Sequence, residues 1–171
     1  MHDSGTPASE CDDLRIERAS PDDVPLLLEL IRELAAAQRF PGELTVTDRD
    51  LRASLFGNNA AAEAVIGYVD GNAVSYAVFY HTFATTTGKR GLHLDDLLVR
   101  PHAQGRGIGR KMLGYLARVA RERGCARFEW WTLDWNDRAI AFYESVGARN
   151  VEHLRVFRLS GEALDRVSRL W

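Results

Sequence analysis

The chain has 171 residues, of which 46% are hydrophobic and 27% charged, with a formal net charge of -2. That composition fits one soluble globular domain large enough to bury a core, with no global positive field for nucleic acid or an anionic membrane. No apolar run approaches the ~20 residues that a membrane-spanning helix needs.

The first ~13 residues are polar and acidic without a basic start, which fits a loose tail rather than a signal peptide. Cys11 and Cys125 make no disulfide framework, so both are read as free thiols and the cytoplasm is expected by elimination. Leu14 to Ala19 alternates apolar and charged residues and predicts a short strand. "SPDD" then offers Ser20 as N-cap, Pro21 at the first helical position and acids in the first turn. The helix runs to about Ala37 with Val24, Leu27, Leu28, Ile31 and Leu34 on its stripe, and "FPGE" stops it. Thr47 caps a second helix carrying Leu51 and Leu55, which Gly57 ends. Val65–Val69 and Val74–Tyr80 read as strands around the turn Asp70-Gly71-Asn72. Residues 82–91 read as a Thr/Gly loop, and Leu92–Val99 as the next strand. A helix follows from Gly107 to about Arg123, its apolar face formed by Ile108, Met112, Leu113, Leu116, Ala117 and Ala120. Arg127–Leu133 predicts a strand, Asn136–Val146 a helix ending at Gly147, and Leu154–Leu159 a last strand before a short helix capped by Ser160.

The order β-α-α-β-β-β-α-β-α-β contains no repeat or linker and predicts a single mixed α/β domain over residues 14–171. Its sheet should be mostly antiparallel, with helices on both faces. The later strand–helix–strand unit must cross over, so its two strands should be parallel. The most informative stretch is "VRPHAQGRGIGRKML", residues 99–113, where a glycine-rich loop feeds a helix. Glycines expose backbone N–H groups, and a helix start aims its positive end at the same place, so the stretch suits an anion. From Arg100 to Arg127 there are eight Lys or Arg against one acid, Glu122. A phosphate loop of the Walker type needs Lys-Ser/Thr after its last glycine, but Arg110 and Lys111 follow Gly109. A dinucleotide fingerprint fails too: counted from Gly105 or from Gly107, its third glycine would be Arg110 or Met112.

What remains is Gln104-x-x-Gly107-x-Gly109 after a strand ending in Val99. It resembles the pyrophosphate loop of the GNAT superfamily of acyl-CoA N-acyltransferases. "RIERASPDDVPLLLELIRELA" (15–35) is similar to a GNAT first strand and helix, and "DWNDRAIAFYESVGA" (134–148) to its motif B. The three stretches stand in the family's order, and the resemblance spans residues 14 to 160. It is strongest to the diamine (spermidine/spermine) and thialysine acetyltransferase branch, carried by "LIRELA", "LTVTDRDLRASLFG", "AVFYHTF", "LHLDDLLV" and "DWNDRAIAFY". It implies transfer of acetyl from acetyl-CoA to a primary amine by direct attack in a ternary complex, without a metal, in a homodimer. The implied acetyl-CoA site is the backbone of Leu97, Leu98 and Val99, the loop Gln104, Gly105, Arg106, Gly107, Ile108, Gly109 and Arg110, and Asn136, Asp137, Arg138 and Ala139. Tyr143 matches the tyrosine that protonates the leaving thiolate.

Other readings of these residues stay open. Ile140, Tyr143 and Val146 form a helical stripe, so Tyr143 could be core. Strict alternation would put Leu92, Leu94, Asp96 and Leu98 on one face of their strand and His93, Asp95, Leu97 and Val99 on the other. A carboxylate in a mostly apolar strand is costly without a partner. On one reading the two acids are an ion pair and a strand-end carboxylate; on the other, one of them draws in a cationic amine, directly or through water, and helps deprotonate it, and the resemblance points to Asp95. His93 could relay a proton or be a structural polar group. Of Trp130 and Trp131 one is expected in the core and the other, assigned as Trp131, lines the acceptor site with Glu129; Trp135 matches the family but could equally pack the strand end. The expected acceptor is a diamine, polyamine or lysine-like amino acid, but the resemblance departs at Ala37 and Gln38, where the polyamine enzymes carry a tyrosine–acid pair, which weighs against spermidine or spermine and towards a smaller amine, a lysine-like amino acid or a different acceptor. Two alternatives are a protein or peptide N-acetyltransferase and a non-catalytic acyl-CoA-binding module; Asn136 and Tyr143 argue against the second. The five histidines, at 2, 81, 93, 102 and 153, show no metal-ligand spacing.

Overall fold

A computed structural model describes residues 13–39 and 43–171. The expected tail, Cys11 and most of "FPGE" lie outside the described residues. The chain forms two compact units, Met1–Trp131 and Thr132–Trp171. The first holds β1 (Arg15–Arg18), α1 (Val24–Ala37), α2 (Asp48–Phe56), β2 (Glu63–Val69), β3 (Asn72–Ala84), β4 (Lys89–Val99), α3 (Ile108–Glu122) and β5 (Phe128–Trp130). The second holds α4 (Asp137–Ser145) and α5 (Gly161–Ser168). The sheet order is β1-β2-β3-β4-β5, antiparallel throughout except for the parallel pair β4–β5, as expected for strands joined by a crossover helix.

Helices cover both faces of this sheet. On one, Val24, Leu27, Leu30 and Leu34 of α1 and Leu51 and Leu55 of α2 pack with Ile66, Tyr76 and Leu98. Leu30 takes the central place expected of Leu28 and Ile31, which pack at the margin. On the other, α3 seals the sheet with Ile108, Met112, Leu113, Leu116, Val119 and Ala120. Val119 is buried where Ala117 was expected, and Ala117 is exposed. Thr47 caps α2 as expected, accepting from the Asp50 amide while the Asp50 carboxylate accepts from the Thr47 N–H.

Three segments differ from expectation. The 82–91 loop is almost all strand, since the β3–β4 ladder continues to Ala84 opposite Lys89 and only 85–88 turn. Threonines favour strands, and Gly91 is needed there because a Cβ would lie 2.5 Å from Thr82 Oγ1. The fifth strand is three residues, not seven. Leu154–Leu159 is not a strand: alternation gives a strand only where a neighbour supplies hydrogen bonds, and no strand pairs with it among the described residues.

The register of β4 matters most. Asp96 pairs with Val78 and Leu94 with Phe79, so Asp95 is one residue too many and bulges. Strict alternation therefore fails. Asp96 lies on the α1 side, where it accepts a 3.0 Å hydrogen bond from the Tyr76 hydroxyl. His93, opposite Tyr80, returns to the side of Tyr76 and Asp96, while Leu92 and Leu94 join Phe79 on the α3 side. Asp96 is thus the braced acid, its partner a buried phenol rather than a cation, and Asp95 is left exposed.

Burial pushes the Asp96 carboxyl above its ordinary range; the Tyr76 hydrogen bond opposes this and the Asp95 charge adds to it. Such a group holds its proton more tightly folded than unfolded. Stability therefore falls as pH rises from the usual carboxylate range through the raised value. Asp96→Asn removes this loss and keeps an acceptor for Tyr76. The stability of Asp96→Asn minus that of wild type, from urea unfolding between about pH 4 and 7, is expected to grow with pH. A flat difference would contradict the brace as described.

Candidate active site

Arg100, at the end of β4, anchors the start of the glycine loop. Its guanidinium bonds Glu33 and Glu29 of α1 and the Ala73 carbonyl, and its own N–H donates to the Val74 carbonyl. A 3-10 turn, Pro101–Ala103, plugs its fully buried Ala103 beneath the loop. Gln104 then folds back, its Nε2 donating to the Val99 carbonyl at 2.8 Å. Gly105 and Gly107 both take left-handed backbone, with φ of 76° and 77°, and open space lies where a Cβ would be. Gly107 is the N-cap of α3, no side chain caps that helix, and its first turn holds no acid. The α3 start therefore presents amides of Gly107, Ile108, Gly109 and Arg110 that no intrahelical carbonyl takes up, in a field favouring negative charge. Arg106 and Arg110 are exposed beside them.

The strand feeding this loop is open along part of one edge. The β4–β5 ladder pairs Leu92–Phe128, His93–Glu129 and Leu94–Trp130, then stops where the bulge begins. From Asp95 to Val99 no strand pairs with β4 on that side among the described residues. An extended, amide-bearing chain can add to such an edge as a strand would. Leu98 is buried under α1, so it could serve a ligand only through its backbone. Leu97 and Val99 are half-buried on the same segment.

At the other side of the bulge lie the acceptor candidates of this unit. Asp95 is exposed. Glu129 pairs across from His93 and makes a 3.0 Å ion pair with Arg127. The His93 ring stands between Tyr80, centroids 5.0 Å apart, and Trp131, edge-on at 4.7 Å. Trp131 is 59% exposed. Burial pushes the Tyr80 hydroxyl pKa up, and the charges of Asp95 and Glu129 push it further, so both carboxylates act on this spot. The predicted Asp95, Glu129 and Trp131 thus gather round a cluster whose centre, His93, had two open readings. Tyr80 was missed, because nothing in "AVFYHTF" separates it from a packed strand aromatic. Arg100 was missed as well; its acidic partners lie 67 and 71 residues away in sequence.

In the second unit, Asn136 caps α4, its side chain accepting from the Ala139 amide at 3.2 Å. That geometry explains the asparagine structurally as well as a cofactor contact would. Asp137 and Arg138 are exposed in the first turn. Tyr143 is half-buried with its ring 5.4 Å from Phe142. Burial raises the Tyr143 pKa, which keeps the phenol protonated, as a proton donor must be. Among the described residues no His/Cys/Asp/Glu group could hold a metal, and no helix is long and apolar enough to cross a membrane.

The model of the Acetyltransferase (GNAT) family matches residues 28–148. The chain belongs to the GNAT acetyltransferase family. It is 34% identical to the thialysine N-epsilon-acetyltransferase of Sus scrofa, over 90% of this chain and 96% of that protein. It is 25% identical to the L-ornithine N5-acetyltransferase of Arabidopsis thaliana, over 91% and 88%. An integron cassette protein from the mobile metagenome of V. cholerae shares the fold, with a TM-score of 0.74 at 22% identity over 92% of this chain and 98% of that one. The GNAT family uses acetyl-CoA, and the loop and open edge described above fit that cosubstrate: a pyrophosphate for the helix start and an amide-bearing pantetheine for the strand.

Gly107→Ala tests the loop. A non-glycine residue in left-handed backbone costs about 1–2 kcal/mol, and the loop sheds that strain by turning its amides away. A rise of roughly tenfold in the Kd for acetyl-CoA, with α3 still folded by circular dichroism, is expected from titration calorimetry. An unchanged Kd would remove Gly107 from the site.

Proposed function

We propose that this GNAT enzyme transfers acetyl from acetyl-CoA to a primary amine of a small molecule, a lysine-like amino acid or diamine, by direct attack in a ternary complex. The observation that carries the reading is the open β4 edge running into an uncapped, acid-free helix start. Leu97, Leu98 and Val99 offer backbone to the pantetheine, and Gln104 to Arg110 hold the pyrophosphate. Asn136, Asp137, Arg138 and Ala139 contribute from α4. The family match, residues 28–148, runs from the first compact unit into the second, which supports reading them as one catalytic domain.

Asp95 draws in the cationic amine, with Glu129 and Trp131 beside it. The amine attacks the thioester carbon, and Tyr143 protonates the departing thiolate. The relatives acting on thialysine and ornithine support an amino-acid side chain as the acceptor. So do Ala37, the last residue of α1, and Gln38, its C-cap, which supply neither an aromatic ring nor a charge. A homodimer is part of the proposal. Exposed apolar side chains on the C-terminal segment, with Leu154 66% and Phe157 88% exposed, suit a protein contact.

The test is thiol release from acetyl-CoA with thialysine, ornithine, spermidine and a peptide as acceptors. Turnover of an amino-acid amine above spermidine and peptide is expected; no release with any amine would overturn the reading. Tyr143→Phe should lower kcat by about 100-fold with little change in KM for acetyl-CoA. An unchanged kcat would return Tyr143 to the core.

A further inference from the structure

His93 is only 3% exposed, yet among the described residues its ring makes no hydrogen bond. A buried imidazole without a partner is costly, and such groups are retained where a ligand or a proton completes them. Among the described residues, the fully enclosed side-chain atoms left without a partner are Ser75 Oγ and Thr82 Oγ1. The His93 nitrogens are not among them, so they keep a path to the outside. The ring is held on both sides, tilted 32° against Tyr80 and edge-on at 68° to Trp131. Its strand neighbour across the parallel ladder is Glu129. Asp95 follows it by two residues, at the bulge. The titratable and charged groups placed on its side are Tyr80 and Tyr76 from β3, Asp96 and the bulged Asp95 on its own strand, and Glu129 from β5 with its partner Arg127.

We propose that His93 is the base that takes the proton from the acceptor ammonium before it attacks, with Tyr80 and Trp131 forming the aromatic wall that holds the cation. This rests on the acetyl-transfer reading above and adds the group that makes the amine nucleophilic. Two roles then separate. Exposed Asp95 attracts the ammonium by charge. His93 accepts the proton, since an imidazole is intrinsically a stronger base than a carboxylate by about two pH units. Aromatic faces hold an ammonium while leaving its N–H bonds free to point at a base. The protons balance. Of the three on the ammonium, one stays on the amide nitrogen, one passes through His93 to solvent, and one ends on the CoA sulfur as the C–N bond forms and the C–S bond breaks.

His93→Phe keeps a ring between Tyr80 and Trp131 but removes both nitrogens; His93→Gln keeps a polar group. The acceptor used is whichever of thialysine, ornithine and spermidine wild type turns over fastest. For both variants kcat/KM for that amine near neutral pH should fall by about 100-fold, with the acetyl-CoA Kd within about twofold of wild type. The loss should shrink as pH rises and free amine becomes available without a base. A loss below threefold, an equal loss at every pH, or a parallel rise in acetyl-CoA Kd would overturn the role of His93. Absence of turnover by wild type with all three amines would instead fail the acetyl-transfer reading itself.

Discussion

The Tyr76–Asp96 hydrogen bond fixes the extra residue in β4, and most of the functional geometry depends on that residue. A strand whose register is interrupted cannot present the same edge on both sides of the interruption. Before the bulge, β4 pairs with β5; after it, no strand among the described residues takes that edge. The first half is thus structural sheet and the second a row of backbone groups that a ligand can pair. Arg100 then ties the end of the row to α1, so the glycine loop begins at a fixed place.

The same irregularity divides two neighbouring acids. A regular strand would send Asp95 and Asp96 to opposite faces, leaving one of them buried among apolar side chains at a cost. With the bulge, Asp96 meets a phenol that can donate to it, and Asp95 stays in water near the aromatic cluster. One acid holds the backbone in shape and the other supplies charge. His93 is re-aimed by the same displacement, from the α3 side to the side of Tyr80, with Glu129 opposite it across the parallel ladder.

Much of this was legible in the sequence because it is local. The Thr47 cap, the α3 stripe, the Asp70-Gly71 turn and the Gln104-x-x-Gly107-x-Gly109 spacing are each written within a few residues. Gly105 and Gly107 take the left-handed backbone that only such residues adopt cheaply. What was not legible depends on partners far away in the chain. A bulge is set by the opposing strand, so no pattern inside "LHLDDLLV" announces it, and the two-residue period misplaced His93 and Asp96. Arg100 reads as one more base in a basic stretch until α1 supplies its acids. Leu154–Leu159 carries a strand's alternation, but alternation records only which side chains are apolar and not whether a neighbour is there to pair.

The central claim is that the unpaired half of β4 and the start of α3 form one continuous dock for acetyl-CoA. Amide hydrogen exchange, measured with and without saturating acetyl-CoA, tests it most directly. The account predicts new protection concentrated at residues 95–99 and 105–110, with the amides of α1 and of the β1–β2 pair unchanged. Binding of acetyl-CoA that leaves the exchange of 95–99 and 105–110 unaltered would contradict it.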